Sequence, residues 1–151
     1  MVYTVGEMAK LLLIPASTLR YYDKEGLLPF VERSSGGIRM FQEKDYEWLK
    51  IIECLKKAGM SIKDIREYIR LAMIGDETIH ERLELFKKQQ KIVEAQMAEL
   101  QKTMDVINYK CWYYETAEKY GSIEAVKNIS AEDIPEDLRN AREYVKKVPQ
   151  T

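Results

Sequence analysis

Apolar side chains recur at helical spacing near the start of the chain, and a proline divides them into two short helices. The first helix is predicted from apolar positions three or four residues apart: Val5, Met8, Ala9 and Leu12. Thr4 and Glu7 have the spacing of a capping box at its start. The second helix follows Pro15 and runs to Gly26, since glycine suits the position after a helix. Two short helices joined by a tight turn predict a helix-turn-helix.

Short runs of β-prone residues replace the helical spacing after Pro29. The runs 30–33 and 38–41 flank the turn sequence Ser-Ser-Gly-Gly at 34–37. Such an arrangement predicts a β-hairpin, which would form a wing beside the second helix. Arg33 and Arg39 lie on the two strands of this hairpin, where they could meet the backbone or the minor groove of DNA.

Two further amphipathic helices are predicted after the hairpin. Residues 43–58 contain an apolar stripe at helical spacing: Trp48, Ile51, Ile52 and Leu55. Gly59 ends this helix, and Ser61 with Asp64 forms a predicted cap for the next one. The next helix also has an apolar face: Ile62, Ile65, Ile69 and Met73. Gly75 and Asp76 interrupt the pattern again.

The most regular pattern in the chain is a heptad seam of residues alternately four and three apart. Its members are Ile79, Leu83, Phe86, Gln90, Val93, Met97, Leu100, Met104, Ile107, Cys111 and Tyr114. A helix of some 40 residues would be about 60 Å long, too long to bury this seam on one small domain. It therefore needs a partner helix, and the same helix from a second copy of the chain is the natural one. The residues alone leave the direction of pairing open.

An aromatic cluster ends the seam: Tyr109, Trp112, Tyr113, Tyr114 and Tyr120. After Gly121, two short helices are predicted at 123–128 and 135–147. These breaks divide the chain into a DNA-binding domain (1–75), a dimerisation helix (76–120) and a short helical tail (121–151). The predicted fold class is mainly α, with a small β-hairpin wing.

Composition adds little to this picture, although charge differs between the halves. The 151 residues carry a formal net charge of −1, with +2 in residues 1–75 and −3 in the remainder, which weakly favours nucleic acid near the start. Two distant cysteines and one histidine, His80, fit no metal site, and we expect no cofactor. The chain has no apolar run of membrane-spanning length and no catalytic constellation. We therefore expect a cytoplasmic, non-enzymatic protein with reduced thiols and no membrane partner.

The second helix carries the chemistry on which the interpretation depends. Leu19 and Tyr22 are three positions apart and can share its buried side. The other sides carry hydroxyl, arginine, tyrosine and lysine side chains: Ser17, Arg20, Tyr21 and Lys24. Such side chains on an exposed helix are suited to phosphates and base edges.

Four ordered motifs resemble the MerR family of transcription regulators. They are Thr-Val-Gly-Glu-Met-Ala-Lys at 4–10, Thr-Leu-Arg-Tyr-Tyr-Asp-Lys-Glu-Gly-Leu-Leu-Pro at 18–29, Gly-Ile-Arg at 37–39 and Ala-Gly-Met-Ser-Ile at 58–62. The resemblance implies a homodimer joined by an antiparallel coiled coil, which binds a pseudo-palindromic operator in double-stranded DNA. It also implies that the dimer bends and untwists the promoter, so that RNA polymerase responds without being touched. It implies DNA contacts at Ser17, Thr18, Arg20, Tyr21, Tyr22, Arg33, Arg39 and Lys56.

The chain also resembles the aldehyde- and thiol-stress-responsive branch of that family, whose members carry a cysteine at the helix position of Cys54. Lys50 and Lys57 lie one turn away on either side, and nearby cations stabilise a reactive thiolate. This resemblance implies an electrophile sensor in a stress response. The alternative is that Cys54 is a small apolar residue packed on the helix.

Two alternatives to an electrophile response remain at this point. The aromatic residues Tyr109, Trp112, Tyr113 and Tyr114 could line an effector pocket for a planar or cationic small molecule, or they could pack the helix end against a neighbouring segment. Cys111, on the seam, is expected to be a packed interface residue. In another class of protein, the coiled coil would belong to an adaptor whose first domain binds protein instead of DNA.

Overall fold

The computed structural model describes residues 1–150, and their packing divides the chain into two compact units. The first unit is Met1–Lys91 and the second begins at Ile92. The first unit contains four helices, α1 (Val5–Leu12), α2 (Ala16–Lys24), α3 (Glu43–Lys57) and α4 (Ile62–Ile74), and three strands, β1 (Val2–Tyr3), β2 (Glu32–Arg33) and β3 (Arg39–Gln42). The remaining helices are α5 (Ile79–Tyr120), α6 (Ile123–Lys127) and α7 (Glu136–Lys146).

The helix-turn-helix is present where the sequence predicts it. The Thr4 hydroxyl accepts a bond from the Glu7 amide at 3.3 Å, and the Glu7 carboxylate accepts one from the Thr4 amide at 2.8 Å. The predicted capping box is therefore confirmed. Leu13 makes the turn between α1 and α2 with a left-handed backbone, φ 58°. Gly26 makes the turn after α2, at φ 76°.

The wing belongs to a three-stranded antiparallel sheet in the order β1-β3-β2. The predicted hairpin is confirmed, with Arg33 directly opposite Arg39 across β2 and β3. The first strand was not predicted. It consists of two residues, and Val2 and Tyr3 pair with the far side of β3.

The core of the first unit joins α1 to α4 and closes under the sheet. Its fully buried apolar side chains come from these four helices, from β3 and from the segment after α2: Met8, Leu19, Tyr22, Leu27, Phe41, Leu49, Ile52, Ile65 and Ile69. On α3, Trp48 and Ile51 lie at the margin of the core, while Leu49 lies at its centre. On α4, Met73 is exposed, because Tyr68 and Leu71 fill the positions that face inward.

Hydrogen bonds to main-chain carbonyls hold the start of α5 against α4. The Thr78 hydroxyl donates to the carbonyls of Leu71 and Gly75, and Arg82 donates to that of Gly75 at 2.9 Å. The Gln89 amide donates to the carbonyl of Ala58 at 3.3 Å. This part of α5 therefore belongs to the same packed unit as the helix-turn-helix.

Helix α5 is a single helix of 42 residues, as the heptad pattern predicts. Nearly all apolar members of its seam are exposed in the single chain, and Leu100 is the most exposed of them at 69%. Cys111 is also exposed, with a free thiol. Within the described residues of one chain, most of this seam stays uncovered, although the ring of Phe86 contacts that of Tyr68.

The second unit has its own small core, which contains the end of α5. Tyr109 packs with Ile134, Leu138 and Ala141, and both predicted tail helices are present. Among the helices of residues 1–150, none has the length and apolar character that a membrane span requires.

Candidate nucleic-acid interface

The two faces of α2 differ sharply in exposure. Leu19 and Tyr22 have no exposed surface, whereas Ser17, Arg20 and Tyr21 all lie on the outside. Tyr21 is 44% exposed, and its ring is tilted by 50° from that of Tyr22, with the ring centroids 6.2 Å apart. Helix α2 therefore presents one continuous polar face while its other face is fixed in the core.

Tyr22 lies in the core, so its side chain has no surface to offer to DNA in this arrangement. Its hydroxyl donates a hydrogen bond to the carboxylate of Glu53 on α3. Burial raises the pKa of Tyr22 above its ordinary value, and the bond to Glu53 raises it further. The Lys56 ammonium lies 5.1 Å from the centre of the Tyr22 ring. Tyr22 thus connects α2 to α3 and places Lys56 beside the helix-turn-helix.

A single carboxylate joins the wing to α2. Asp23 accepts hydrogen bonds from Arg33 at 2.8 Å and from Arg39, both through the same oxygen. The bond from Arg39 is the main reason that the pKa of Asp23 is lowered, and the charges of both arginines act in the same direction. Arg33 also donates to the carbonyl of Gly37 in the wing turn, at 3.1 Å. Both wing arginines are therefore oriented by contacts within the protein.

Arg66, on α4, fixes the C-terminal end of α2. Its guanidinium donates to the main-chain carbonyl of Glu25 at 2.7 Å and to the carboxylate of the same residue at 3.2 Å. Carbonyls at the end of a helix lack partners within the helix, so the contact satisfies an otherwise open acceptor. Neither Asp23 nor Arg66 was predicted from the sequence to belong to this site. An acidic residue among so many basic ones was the available signal for Asp23.

The predicted contact residues are thus grouped by the fold, apart from the buried Tyr22. Thr18 is half-buried in the first turn of α2, and Lys56 is exposed in the last turn of α3. Cys54 is exposed on α3 with a free thiol, so the packed alternative is wrong for the single chain.

The aromatic residues predicted as an effector pocket belong to the second unit. Tyr109 is buried, Trp112 and Tyr113 are half-buried, and Tyr114 is 58% exposed. A pocket of about 380 Å³ is lined by the first three of these residues but not by Tyr114. A neighbouring pocket of about 580 Å³ includes Trp112 and Tyr120.

A helix-turn-helix followed by a β-hairpin, with hydroxyl and arginine side chains on the outer face of the second helix, defines a winged helix-turn-helix protein of the DNA-binding class. Family models agree: "MerR HTH family regulatory protein" matches residues 3–72, and "MerR, DNA binding" matches residues 46–108. The chain belongs to the MerR family of transcriptional regulators.

Relatives of known sequence extend this similarity beyond the first unit. An HTH-type transcriptional regulator of Haemophilus influenzae is 48% identical over 126 residues, which is 83% of this chain and 93% of the relative. The regulator AdhR of Bacillus subtilis is 37% identical over 91 residues, covering 60% of this chain and 65% of AdhR.

Solved structures show the same fold. The crystal structure of HiNmlR, described as a MerR family regulator lacking the sensor domain and bound to promoter DNA, superposes with a TM-score of 0.73. It is 48% identical and covers 83% of this chain and 99% of its own. A MerR family regulator from Bacillus thuringiensis is 40% identical, with a TM-score of 0.68, and covers 74% of this chain and 97% of its own.

Proposed function

We propose that the chain acts as a homodimer in which each helix α2 reads one half of a pseudo-palindromic promoter operator. The observation that carries this proposal is the exposed row of Ser17, Arg20 and Tyr21 on a helix whose opposite face is completely buried. A rigidly held helix with this outer face suits the major groove, where arginine recognises guanine. The promoter complex of the relative HiNmlR supports this use of the fold.

The surrounding basic residues would position the dimer on the duplex. Thr18, Arg33, Arg39 and Lys56 are proposed as contacts to the DNA backbone, which add affinity and make it depend on salt. Because Asp23 holds both wing arginines, the wing and α2 would engage the duplex as one body.

Dimerisation is proposed through the seam of α5, paired antiparallel with the same helix of a second copy. The exposed apolar row in the single chain supports this pairing, since water contact along so many apolar side chains is unfavourable. The corresponding functional division is 1–75 for DNA binding, 76–120 for dimerisation and 121–151 for a tail of separate role.

Control of transcription would follow from distortion of the promoter. Bending and untwisting a site of this size costs several kcal/mol, so a small shift between the two DNA-binding domains would change the output. RNA polymerase would respond to the altered promoter without contacting the regulator.

Arg20→Ala tests the assignment of α2. The measurement is fluorescence anisotropy with the promoter fragment adjacent to the chain's own gene, compared with Lys102→Ala, which removes the same charge from the second unit. We expect Arg20→Ala to lose about 1–3 kcal/mol of specific binding for each half-site. Light scattering should show that both variants remain dimers.

Unchanged operator affinity in Arg20→Ala would refute the assignment. A wild-type chain that binds no duplex at any salt concentration would instead favour the protein-interaction adaptor, because an adaptor has no salt-sensitive affinity for DNA.

Cys54 is the proposed responsive group for electrophiles such as aldehydes and thiol oxidants. Its exposed, unpaired thiol on α3 supports the proposal, since a buried thiol would be shielded from reagents. It lies on the same helix as Lys56, a proposed DNA contact, but side chains two residues apart point to opposite sides of a helix. A covalent adduct at Cys54 would therefore act by shifting α3, and with it Lys56, and replacement by serine should remove the response.

A further inference from the structure

The pocket of about 380 Å³ in the second unit lies between the end of α5, the end of α6 and α7. Its inner surface is apolar and aromatic. Tyr109 and Trp112 are nearly parallel, with ring centroids 6.1 Å apart and planes 26° apart, and Val126 and Ile134 add buried apolar surface. A flat aromatic wall beside aliphatic side chains is suited to a planar apolar ligand.

Four cations surround this pocket: Lys110, Lys127, Arg142 and Lys146. No acidic side chain is among the lining residues. From residue 92 onward the sequence contains eight lysines and arginines against eleven aspartates and glutamates. Half of the cations of an acidic segment thus gather at one pocket from which every carboxylate is absent.

Within residues 1–150, none of these four cations forms an ion pair, since the ion pairs there all involve other residues. Arg142 is half-buried, where an unpaired guanidinium is costly unless an anion neutralises it. The Lys110 ammonium lies 4.6 Å from the centre of the Tyr113 ring, so its positive charge lies next to the aromatic side chains of the pocket.

We propose that this pocket binds a small planar aromatic carboxylate, whose ring lies against Tyr109 and Trp112 and whose carboxylate pairs with Arg142. Arginine and a carboxylate match in two parallel hydrogen bonds. Four like charges at the pocket would repel the cationic ligand considered from the sequence alone, so the proposal favours an anion. A regulatory role for this ligand rests on the proposed function, whereas its binding does not.

The neighbouring pocket of about 580 Å³ provides an internal comparison. It shares Trp112 but contains Lys119 together with Asp133, so its charges are mixed. An anion has no electrostatic reason to prefer it. Lys119→Gln is therefore the matched control for Arg142→Gln, since each removes one positive charge from an adjacent pocket.

The experiment is isothermal titration calorimetry of the full chain without DNA. The probes are 2-naphthoate, the neutral 2-naphthamide and the cationic 2-naphthylmethylamine. We expect 2-naphthoate to bind at least tenfold more tightly than either analogue. Arg142→Gln should weaken 2-naphthoate at least tenfold, while Lys119→Gln should leave its affinity within twofold of wild type. Circular dichroism checks that each variant is folded.

The double variant Lys127→Gln/Lys146→Gln is a second test, which does not depend on whether the Arg142→Gln variant folds. Both lysines are exposed, and their replacement should weaken the binding of 2-naphthoate severalfold. The proposal is overturned if 2-naphthoate does not bind, if the amide binds equally well, or if Lys119→Gln is as damaging as Arg142→Gln. The calorimetry contains no DNA, so it tests only the ligand proposal. The proposed operator recognition is tested separately, in the Arg20→Ala anisotropy assay.

Discussion

Asp23 shows how much of the interface depends on one side chain. It lies at the end of α2 beside the wing, and both wing arginines reach it. Without it, two guanidinium groups would approach each other with no counterion. The half-buried Arg39 would lose its main partner, and its buried Nε has no hydrogen-bond partner within residues 1–150. At this scale, the interface is organised by a carboxylate that the sequence did not single out.

Asp23→Asn should destabilise the folded chain by about 1–3 kcal/mol at pH 7, because it removes a charged acceptor from two arginines. The pKa of Asp23 is lowered in the folded state, so this contribution is present above its unfolded pKa of about 4 and is lost as the pH falls through the folded pKa. Urea denaturation at pH 7 and in strong acid measures both effects.

Glu32→Gln is the matched control, since Glu32 forms an exposed pair with Lys44 at 3.5 Å, and such pairs contribute little. Its stability should stay close to wild type at both pH values. The ion pairs of Asp23 would not stabilise the fold if Asp23→Asn were as stable as wild type at pH 7. The same would follow if the loss of stability relative to wild type were as large in strong acid as at pH 7.

At the scale of elements, α5 combines two kinds of surface. Its first turns are held by Arg82 and Gln89 against the helix-turn-helix unit, while its seam is left open. Phe86 belongs to both, because its ring meets the edge of Tyr68 at 5.0 Å although it remains 37% exposed. The open seam is the part of α5 that we propose pairs with a second copy.

Leu100→Glu tests the pairing of α5. In a monomer this residue is 69% exposed, so the change would be almost neutral. In a paired helix it would bury a carboxylate in each copy, which costs several kcal/mol, and the dimer should weaken at least a hundredfold. Sedimentation equilibrium over a range of concentrations measures this change.

Ala98→Glu introduces the same charge on the outer side of the helix and should leave the dimer intact. Equal dissociation of the two variants, or a dimer unaffected by Leu100→Glu, would show that the seam is not the interface.

Periodicity predicted the elements well because the helices are long or clearly capped. Thr4, Gly26 and Ser61 mark helix ends through local chemistry, which can be read without tertiary information. The first strand was not predicted because two residues are too few to show a periodic pattern. It is defined by its pairing with β3. Tyr68 was missed as a core residue because its burial depends on α5 packing over α4.

The candidate site was predicted less completely than the fold. Spacing placed Arg20 and Tyr21 on the outer face of α2 correctly, because both follow from the position of Leu19 in the core. It could not show that Arg33 and Arg39 share one acceptor, since that depends on the wing folding back against α2. The charges around the second-unit pocket were also beyond reach, because they come from three separate helices.

At the scale of the whole molecule, the two proposed places for regulation lie in different units. Cys54 lies in the first unit, and the basic aromatic pocket lies in the second. The first suits a covalent reagent and the second a reversible anion. The two responses can therefore be separated by substitution.

Cys54→Ser should abolish the transcriptional response to added aldehyde or thiol oxidant, measured with a reporter fused to the regulated promoter. Operator affinity without reagent should stay within twofold of wild type, because serine preserves the shape of the side chain. Cys111→Ser is the control, since it removes the other exposed thiol, which lies in the second unit. A full response in Cys54→Ser, or its loss in Cys111→Ser alone, would contradict the assignment.

The sharing of Asp23 between two arginines also has a consequence for how such a chain diverges. Positions 23, 33 and 39 should change together in evolution, because a substitution at any of them alters the ion pairs of the other two. A lineage that replaces the aspartate must also replace an arginine to avoid two unbalanced cations. Substitutions at these three places should therefore be accepted together or not at all, which restricts the routes by which the wing can acquire a new target.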